Sequence, residues 1–183
     1  MIQLKDLFLE VNKTQYTIYC DMDGVLCDFN KRFEFYTDMS FDDYKAKYGK
    51  KKGYDIINQA GENYWANMGW EPNGKELWNI IKQHNPYILS SPGYFVGAKE
   101  GKLNWIKKHL GISQNRVIFK QAEEKKQESG KNHILIDDLP SNIQDWKSAG
   151  GIGILHSSSN PERTYKKLEE LGLYERNSVK ERI

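Results

Sequence analysis

The sequence has no run of about 18 consecutive apolar residues, the length that a membrane-spanning helix requires, so we expect no membrane segment. Residues 1–15 also lack the long apolar stretch and the small-residue cleavage site of a signal peptide. Cysteine is scarce: only Cys20 and Cys27 occur, and we interpret both as reduced, small apolar residues. These absences predict a cytoplasmic protein.

An excess of charge of one sign is missing as well. The formal net charge is +2 over 183 residues, which argues against a large nucleic-acid interface. The histidines, at positions 84, 109, 133 and 156, show no spacing typical of a metal site, and we assign them no role. A chain of this length predicts one domain, or a core with a small insertion.

The most informative stretch is TIYCDMDGVLCDF, which begins at Thr17. Its first residues form a short apolar run that predicts a buried strand, and Gly24 ends that strand. Asp21 and Asp23 are two residues apart, so they point to the same side of an extended chain. Adjacent carboxylates repel each other unless a cation or a proton is present, so the pair indicates a functional site. The alternative is an ordinary turn, since Asp and Gly are common turn residues.

A second acidic pair strengthens the functional interpretation. An Ile-Leu-Ile run ends in Asp137 and Asp138, which predicts another buried strand with carboxylates at its end. Parallel strands of this kind bring their acids to one edge of a sheet. Open α/β sheets place their binding sites at that edge.

Strand and helix patterns alternate along much of the chain. Strands are predicted at residues 86–91, 116–120, 133–137 and 152–156, and helices at residues 98–110, 142–149 and 160–171. This alternation predicts an α/β fold with a parallel sheet and helices on both of its faces. A further short amphipathic helix is predicted near the N-terminus from the spacing of Leu4, Leu7, Phe8 and Val11.

Residues 30–85 follow a different pattern, which predicts an all-helical insertion. Apolar residues recur at helical spacing, Ser40 resembles a helix N-cap, and further helices are predicted at residues 63–68 and 75–84. Residues 64–70 are rich in aromatic side chains. Residues 45–52 form a basic run that either attracts phosphates or nucleic acid or covers a solvated face of the insertion.

Three motifs, DMDGVLCDF, ILSSP and ILIDDLPSNIQDW, resemble those of the haloacid dehalogenase-like (HAD) phosphatase superfamily, and within it those of the 5'(3')-deoxyribonucleotidases. The resemblance extends from about Thr17 to His156. It implies a Rossmann-like HAD core with a parallel sheet, built from residues 1–29 and 86–183. It also implies a small helical cap at residues 30–85, inserted after the first strand.

The resemblance implies roles for the acids. Asp21 is then the nucleophile that forms an aspartyl-phosphate, and Asp23 is the general acid and base. Haloacid dehalogenases and transport ATPases lack an acid at this second position, so Asp23 favours a phosphatase. Asp21, the backbone carbonyl of Asp23 and Asp137 are the implied Mg²⁺ ligands, and Asp138 is implied to orient them.

Other residues complete the implied site. Ser90 ends a strand where family members bind the phosphoryl group, and Ser91 beside it is a substrate contact; a turn-forming serine is the alternative. A lysine is expected to neutralise charge on the phosphoryl oxygens. Lys125 and Lys126 both suit this role, and the spacing to Asp137 favours Lys126.

The aromatic residues in and beside the helical insertion indicate which class of substrate the protein binds. Phe29 and Trp65 are predicted to stack on a nucleobase, and a small internal core of the cap is the alternative. The sequence departs from the family at two positions that bear on phosphate contacts. Leu139 stands where relatives often have Arg, and Gly93 and Tyr94 stand where some have Lys.

The sequence thus predicts a Mg²⁺-dependent phosphomonoesterase whose substrate is a small molecule, a deoxyribonucleoside monophosphate. Competing hypotheses are a phosphatase for nucleic-acid ends, a phosphatase for a small sugar phosphate, and a non-catalytic binding protein on the same fold. We expect no membrane or nucleic-acid partner, and a homodimer is one candidate assembly.

Overall fold

The computed structural model of the chain describes residues 14–175. The helix predicted around Leu4, Leu7, Phe8 and Val11 lies outside the described residues. Within residues 14–175, no helix is both long enough and apolar enough to cross a bilayer.

A parallel sheet of five strands forms the centre of the fold. Its strands are β1 (Thr17–Cys20), β4 (Tyr87–Ser90), β5 (Val117–Phe119), β6 (His133–Asp137) and β7 (Ile152–Leu155). They lie side by side in the order β5-β4-β1-β6-β7, so β1 is the central strand. All neighbouring strands in this sheet run parallel, which confirms the predicted α/β architecture.

The three inner strands, β4, β1 and β6, are buried on both faces, whereas the edge strands β5 and β7 are only partly buried. Consecutive side chains of a strand point to opposite sides of the sheet, so each inner strand contributes to two apolar layers. Ile18 and Ile134 lie in the larger apolar layer, whereas Tyr19 and Leu135 lie in the smaller one. Near-continuous apolar runs are typical of strands in this position, and they explain why the sequence predicts these strands so directly.

Helices occupy most of the remaining described chain. They are α1 (Phe29–Thr37), α2 (Phe41–Tyr48), α3 (Lys50–Ala60), α4 (Glu62–Ala66), α5 (Gly74–Ile81), α6 (Ala98–His109), α7 (Pro140–Ser148) and α8 (Glu162–Glu170). Three 3₁₀ segments are also described, at Lys82–His84, Gln114–Arg116 and Ala122–Glu128. Helices α6, α7 and α8 confirm the three helices predicted between and after the strands.

The helical insertion leaves and rejoins the core at one place. Strand β2 (Cys27–Asp28) pairs antiparallel with β3 (Gly69–Trp70), and helices α1–α4 lie between these two strands. Helix α5 then leads into β4, and its Leu77 and Ile81 are buried in the larger apolar layer. The basic run ends α2 and begins α3, where its lysines are exposed.

Helix α4 of the insertion packs very closely on α6 of the core. A Cβ atom on Gly101 would lie 2.5 Å from the carbonyl oxygen of Glu62 and 2.6 Å from Cβ of Trp65. Glycine is therefore required at this position, and it allows α4 to approach the backbone of α6. This approach brings Trp65 close to Lys102 of α6.

Candidate active site

The sheet places the acids at the carboxyl ends of two neighbouring strands. Asp21 follows β1 and Asp137 ends β6, and the amide of Asp21 donates a hydrogen bond of 3.0 Å to the carbonyl of Ile136. Carboxylate oxygens of Asp21, Asp137 and Asp138 lie within 4.8 Å of one another. The acids therefore meet at one edge of the sheet, as the two sequence motifs predict.

The turn after Asp21 is held by its own backbone. The carbonyl of Met22 accepts hydrogen bonds from the amides of Leu26 and Cys27, at 2.7 and 2.8 Å. Gly24 has a φ of +73°, and a Cβ there would collide with the carboxylate of Asp138. Only glycine satisfies both conditions, so Gly24 allows the turn to lie against Asp138.

Lys125 lies between two of the carboxylates. Its side chain is 2% exposed, and its Nζ lies 2.7 Å from Oδ2 of Asp137 and 3.0 Å from Oδ1 of Asp21. Burial alone would lower the pKa of Lys125, but the two carboxylates outweigh that effect and hold the pKa above its ordinary value. Lys125 is therefore a protonated cation within the site.

Lys126, the lysine that the sequence favours for the site, does not lie beside the acids in the structure. The Lys126 side chain is half exposed, and its Nζ lies 3.5 Å from Asp145 rather than near Asp21. The 3₁₀ segment Ala122–Glu128 turns neighbouring side chains to different sides, so a shift of one residue exchanges a buried lysine for a surface lysine. Spacing along the chain could not resolve that difference.

Asp137 and Asp138 differ sharply in their surroundings. Both oxygens of Asp137 are occupied: Oδ1 accepts from the amide of Leu139 and from Asn142, and Oδ2 accepts from Asn142 and Lys125. The carboxylate of Asp138 instead accepts a hydrogen bond from its own backbone amide. Burial, followed by the charges of Asp21 and Asp137, raises the pKa of Asp138 to about 7.

A second buried lysine, which the sequence did not reveal, lies on the other side of the site. Nζ of Lys102 lies 2.7 Å from Oδ2 of Asp23, 3.0 Å from Oγ of Ser90 and 2.6 Å from the carbonyl oxygen of Ser91. Burial raises the pKa of Asp23 more strongly than the Lys102 cation lowers it. The acid predicted for proton transfer and the serine predicted for phosphoryl binding therefore share one cation.

One signal in the sequence could have indicated Lys102. Ala98, Gly101, Trp105 and Ile106 are buried at the helical spacing of a core-facing stripe, and Lys102 lies within that stripe. A lysine in an apolar stripe needs a charged partner, because an unpaired buried cation is very unfavourable. That partner, Asp23, is 79 residues away in sequence and meets Lys102 only through the fold.

The aromatic residues predicted to bind a base are packed against one another. Phe29 is partly buried against Phe41, Tyr64 and Trp65. Trp65 is 2% exposed, and Nζ of Lys102 lies 4.9 Å from the centre of its ring. The prediction that Trp65 offers an open stacking face is therefore wrong, because close packing of α4 on α6 covers the ring. Phe29, in contrast, is only partly buried.

Ser91 holds the loop that follows β4. Its Oγ donates to Oε1 of Gln121 at 3.1 Å and accepts from the amide of Gly93 at 3.2 Å. Its carbonyl oxygen, rather than its hydroxyl, contacts Lys102. In this structure, the hydroxyl of Ser91 is thus engaged within the loop.

A cleft of about 490 Å³ opens beside the acids. It is lined by Gly24, Asn30, Glu71, Asp138, Leu155, His156, Ser157, Ser158, Asn160 and Arg163. Most of these residues have polar side chains that are able to form hydrogen bonds, and no Phe, Tyr or Trp within residues 14–175 lines the cleft. Burial lowers the pKa of His156 to about 4, so this imidazole is neutral. The cleft is therefore suited to bind the polar part of a ligand.

The charges of the site do not balance. Asp21, Asp23, Asp137 and Asp138 are four carboxylates, and within residues 14–175 the cations in ion pairs with them are Lys102 and Lys125. A fully ionised site therefore carries two uncompensated negative charges in a largely buried environment. A divalent cation bound to carboxylate oxygens would balance them, and Mg²⁺ prefers such ligands.

Comparison with known proteins identifies the fold. No family model matches the sequence, and no curated protein matches it. Solved structures do match. A HAD family hydrolase from Deinococcus radiodurans R1, solved with bound phosphate and sodium, is 12% identical, with a TM-score of 0.53 over 87% of this chain and 97% of its own.

Two further solved structures are similar. One, named as a "putative beta-phosphoglucomutase" from Bacteroides vulgatus, is 14% identical, with a TM-score of 0.51 over 93% of this chain and 96% of its own. The other, a dehalogenase, is 9% identical, with a TM-score of 0.50 over 78% of this chain and 84% of its own. Identities this low establish a shared fold only. The chain therefore has the Rossmann-like HAD fold implied by its motifs.

Proposed function

We propose that this protein is a Mg²⁺-dependent phosphomonoesterase that works through a phosphorylated Asp21. The observation that carries the proposal is the placement of Asp21 and Asp23 at one sheet edge, each paired with its own buried lysine. A carboxylate nucleophile beside a second acid, with cations around both, has the components of phosphoryl transfer in two steps.

In the first step, a carboxylate oxygen of Asp21 bonds to phosphorus as the bond from phosphorus to the ester oxygen breaks. Asp23 gives a proton to the departing alcohol. In the second step, Asp23 takes a proton from water as the water oxygen bonds to phosphorus. The bond between phosphorus and Asp21 then breaks, which restores Asp21 and releases phosphate.

Ser90 and Lys125 suit the stabilisation of the phosphoryl group. The hydroxyl of Ser90 accepts a hydrogen bond from Lys102, so its own hydrogen is left to donate to a phosphoryl oxygen. Lys125 is a fixed cation 3.0 Å from the nucleophilic carboxylate. Fixed donors and charges of this kind stabilise the charge that develops in the transition state without reorganisation.

The acidic cluster fits a divalent cation. Asp21, Asp138 and the backbone carbonyl of Asp23 are the ligands we propose, and Asp137 acts by orienting Lys125 and Asn142. This assignment exchanges the roles implied by sequence resemblance, because the oxygens of Asp137 already accept hydrogen bonds. When bound, Mg²⁺ would neutralise charge on the phosphoryl oxygens.

Deoxyribonucleoside monophosphates remain the proposed substrates. Phe29 supports this proposal: it is partly exposed, and it contacts Trp65, which in turn covers Lys102 beside Asp23. A base that stacks on Phe29 would thus lie near the reacting acids. Cys20 and Cys27 are both buried and unpaired, which supports the proposal that the protein works in the reducing cytoplasm.

A small sugar phosphate is the second candidate substrate. The polar cleft beside Asp138 favours it, because hydroxyl groups can bind the side chains of Asn30, Ser158 and Asn160 without an aromatic surface. A nucleotide and a sugar phosphate would therefore occupy different sides of the acidic cluster.

The test is the release of inorganic phosphate from a panel of phosphomonoesters. The panel contains the deoxyribonucleoside 5'- and 3'-monophosphates, several sugar phosphates and p-nitrophenyl phosphate, each measured with Mg²⁺ and with EDTA. Mg²⁺-dependent release that is fastest for the deoxyribonucleotides supports the proposal, and fastest release from a sugar phosphate selects the second candidate. No release from any ester would favour a non-catalytic binding protein. The matched control is Asp21→Asn.

A further inference from the structure

The three N–H groups of Lys102 all have partners within the site. Nζ lies 2.7 Å from Asp23, 3.0 Å from Ser90 and 2.6 Å from the carbonyl of Ser91, and the side chain is fully buried. The ring of Trp65 covers another side of the ammonium group, at 4.9 Å from its centre. Lys102 therefore has no N–H group left for a phosphoryl oxygen.

The two oxygens of Asp23 are not equivalent. Oδ2 accepts the hydrogen bond from Lys102, whereas Oδ1 is buried and has no hydrogen-bond partner within residues 14–175. An unpaired buried oxygen is unfavourable, and such groups occur where a ligand completes the site. Because Lys102 is anchored by Ser90 and Ser91 as well, the carboxyl group of Asp23 cannot rotate freely to exchange its oxygens.

We propose that Lys102 is a positioning residue that fixes the carboxyl group of Asp23, so that Oδ1 is the oxygen that transfers the proton. This inference rests on the proposed phosphatase function. In the first step, the proton on Oδ1 moves to the ester oxygen while that oxygen departs from phosphorus. Asp23 remains as a carboxylate whose Oδ2 is paired with Lys102. In the second step, Oδ1 takes a proton from the attacking water.

Lys102 and Lys125 then have separate tasks. Nζ of Lys125 lies 3.0 Å from the nucleophile, Asp21, and stabilises the negative charge of the phosphoryl group. Lys102 is paired with the proton donor, Asp23, so its loss should disturb proton transfer more than phosphoryl binding. Proton transfer matters most when the departing alcohol is weakly acidic. Esters of weakly and strongly acidic alcohols can therefore distinguish the role of Lys102 from that of Lys125.

The experiment compares kcat/KM for esters of weakly acidic alkyl alcohols with kcat/KM for p-nitrophenyl phosphate, whose phenolate departs without a proton. This constant reports only the steps up to departure of the alcohol, so it isolates the first proton transfer. For Lys102→Met we expect a loss of about 100-fold with alkyl esters and a much smaller loss with p-nitrophenyl phosphate. Lys99→Met, on the same helix but exposed, should change neither constant.

A double variant tests whether Lys102 acts through Asp23. If it does, Lys102→Met should cause little further loss with alkyl esters in an Asp23→Asn background, because the proton donor is already absent. Independent effects that add in full would overturn the proposal.

Folding is checked by thermal unfolding of each variant, and Lys102→Gln replaces Lys102→Met in both experiments if the latter does not fold. A loss that is equal for both kinds of ester in a folded variant would show that Lys102 serves the phosphoryl group or the fold instead, and would overturn the proposal. The proposed function fails separately, if the wild-type protein releases phosphate from none of the esters.

Discussion

Nζ of Lys125 lies 2.7 Å from Oδ2 of Asp137, and the same nitrogen lies 3.0 Å from Asp21. The pair joins the 3₁₀ segment Ala122–Glu128 to the end of β6 and places the Lys125 cation beside Asp21. A cation held by one carboxylate and aimed at another is suited to hold the nucleophile in place. It also occupies Asp137, which leaves Asp138 to face the cleft.

The adjacent lysines Lys125 and Lys126 form a matched pair for mutagenesis. We expect Lys125→Met to lower kcat for any phosphomonoester substrate by about 100-fold or more, because a fixed charge at the reaction centre is lost. Lys126→Met should stay within about twofold of the wild type, since its exposed pair with Asp145 contributes little. Steady-state kinetics with thermal unfolding as a folding control measure both. Equal losses for the two variants would contradict the placement of Lys125.

Asp138 should control metal binding. Asp138→Asn removes the carboxylate that faces the cleft, so the Mg²⁺ concentration for half-maximal activity should rise at least about tenfold. Asp137→Asn should instead lower stability, because its side chain accepts hydrogen bonds from Lys125, Asn142 and Leu139. Metal titrations and thermal unfolding in EDTA separate the two effects. A larger loss of Mg²⁺ affinity for Asp137→Asn than for Asp138→Asn would restore the assignment implied by sequence resemblance.

The raised pKa of Asp138 predicts a pH dependence with a definite sign. Its pKa of about 7 in the metal-free fold lies above its ordinary value of 3.8, so the folded state binds this proton more tightly than the unfolded state. The stability that Asp138 contributes is thus present at low pH and is lost as the pH rises toward 7. Without metal, Asp138→Asn should therefore unfold at a higher temperature than the wild type at pH 8, by about 2 °C or more. The difference should vanish near pH 4, and its absence at pH 8 would contradict the buried acidic cluster.

Phe29 and Trp65 should now behave differently from each other. Phe29→Ala should raise KM for a deoxyribonucleoside monophosphate at least about fivefold through lost stacking, and leave KM for p-nitrophenyl phosphate nearly unchanged. Trp65→Ala should mainly destabilise the fold, by about 3–5 kcal/mol, because its ring is buried. Phe35→Ala, at an exposed ring of the same helix as Phe29, is the control. An unchanged nucleotide KM for Phe29→Ala would remove the support for a base-binding cap.

The sequence was sufficient to predict the sheet and the acids because the signals are local. A strand with apolar side chains on both faces is visible in a few residues, and Asp21, Asp23 and Asp137 each adjoin such a strand. Strands β2 and β3 have two residues each and no such pattern, so they were not predicted. Their pairing depends on the path of the whole insertion.

The parts of the site that the sequence did not reveal depend on tertiary packing. Lys102 meets Asp23 across 79 residues, and the burial of Trp65 depends on a glycine in α6 that admits the backbone of α4. The choice between Lys125 and Lys126 depends on the direction of side chains within a 3₁₀ segment. Each of these is a matter of orientation, to which the spacing of residues along the chain is insensitive. The cap boundaries at residues 30 and 85 stay a prediction.

The central claim is that Asp21 becomes phosphorylated, and one measurement tests it directly. Asp23→Asn protein, which lacks the base for the second step, is mixed with p-nitrophenyl phosphate and Mg²⁺, quenched in acid, digested and examined by mass spectrometry. We expect a phosphoryl group on the peptide that contains Asp21, and none when Asp21 is also replaced by Asn. Release of p-nitrophenol with no phosphoryl group on any peptide, or with the group on another residue, would contradict the proposed mechanism.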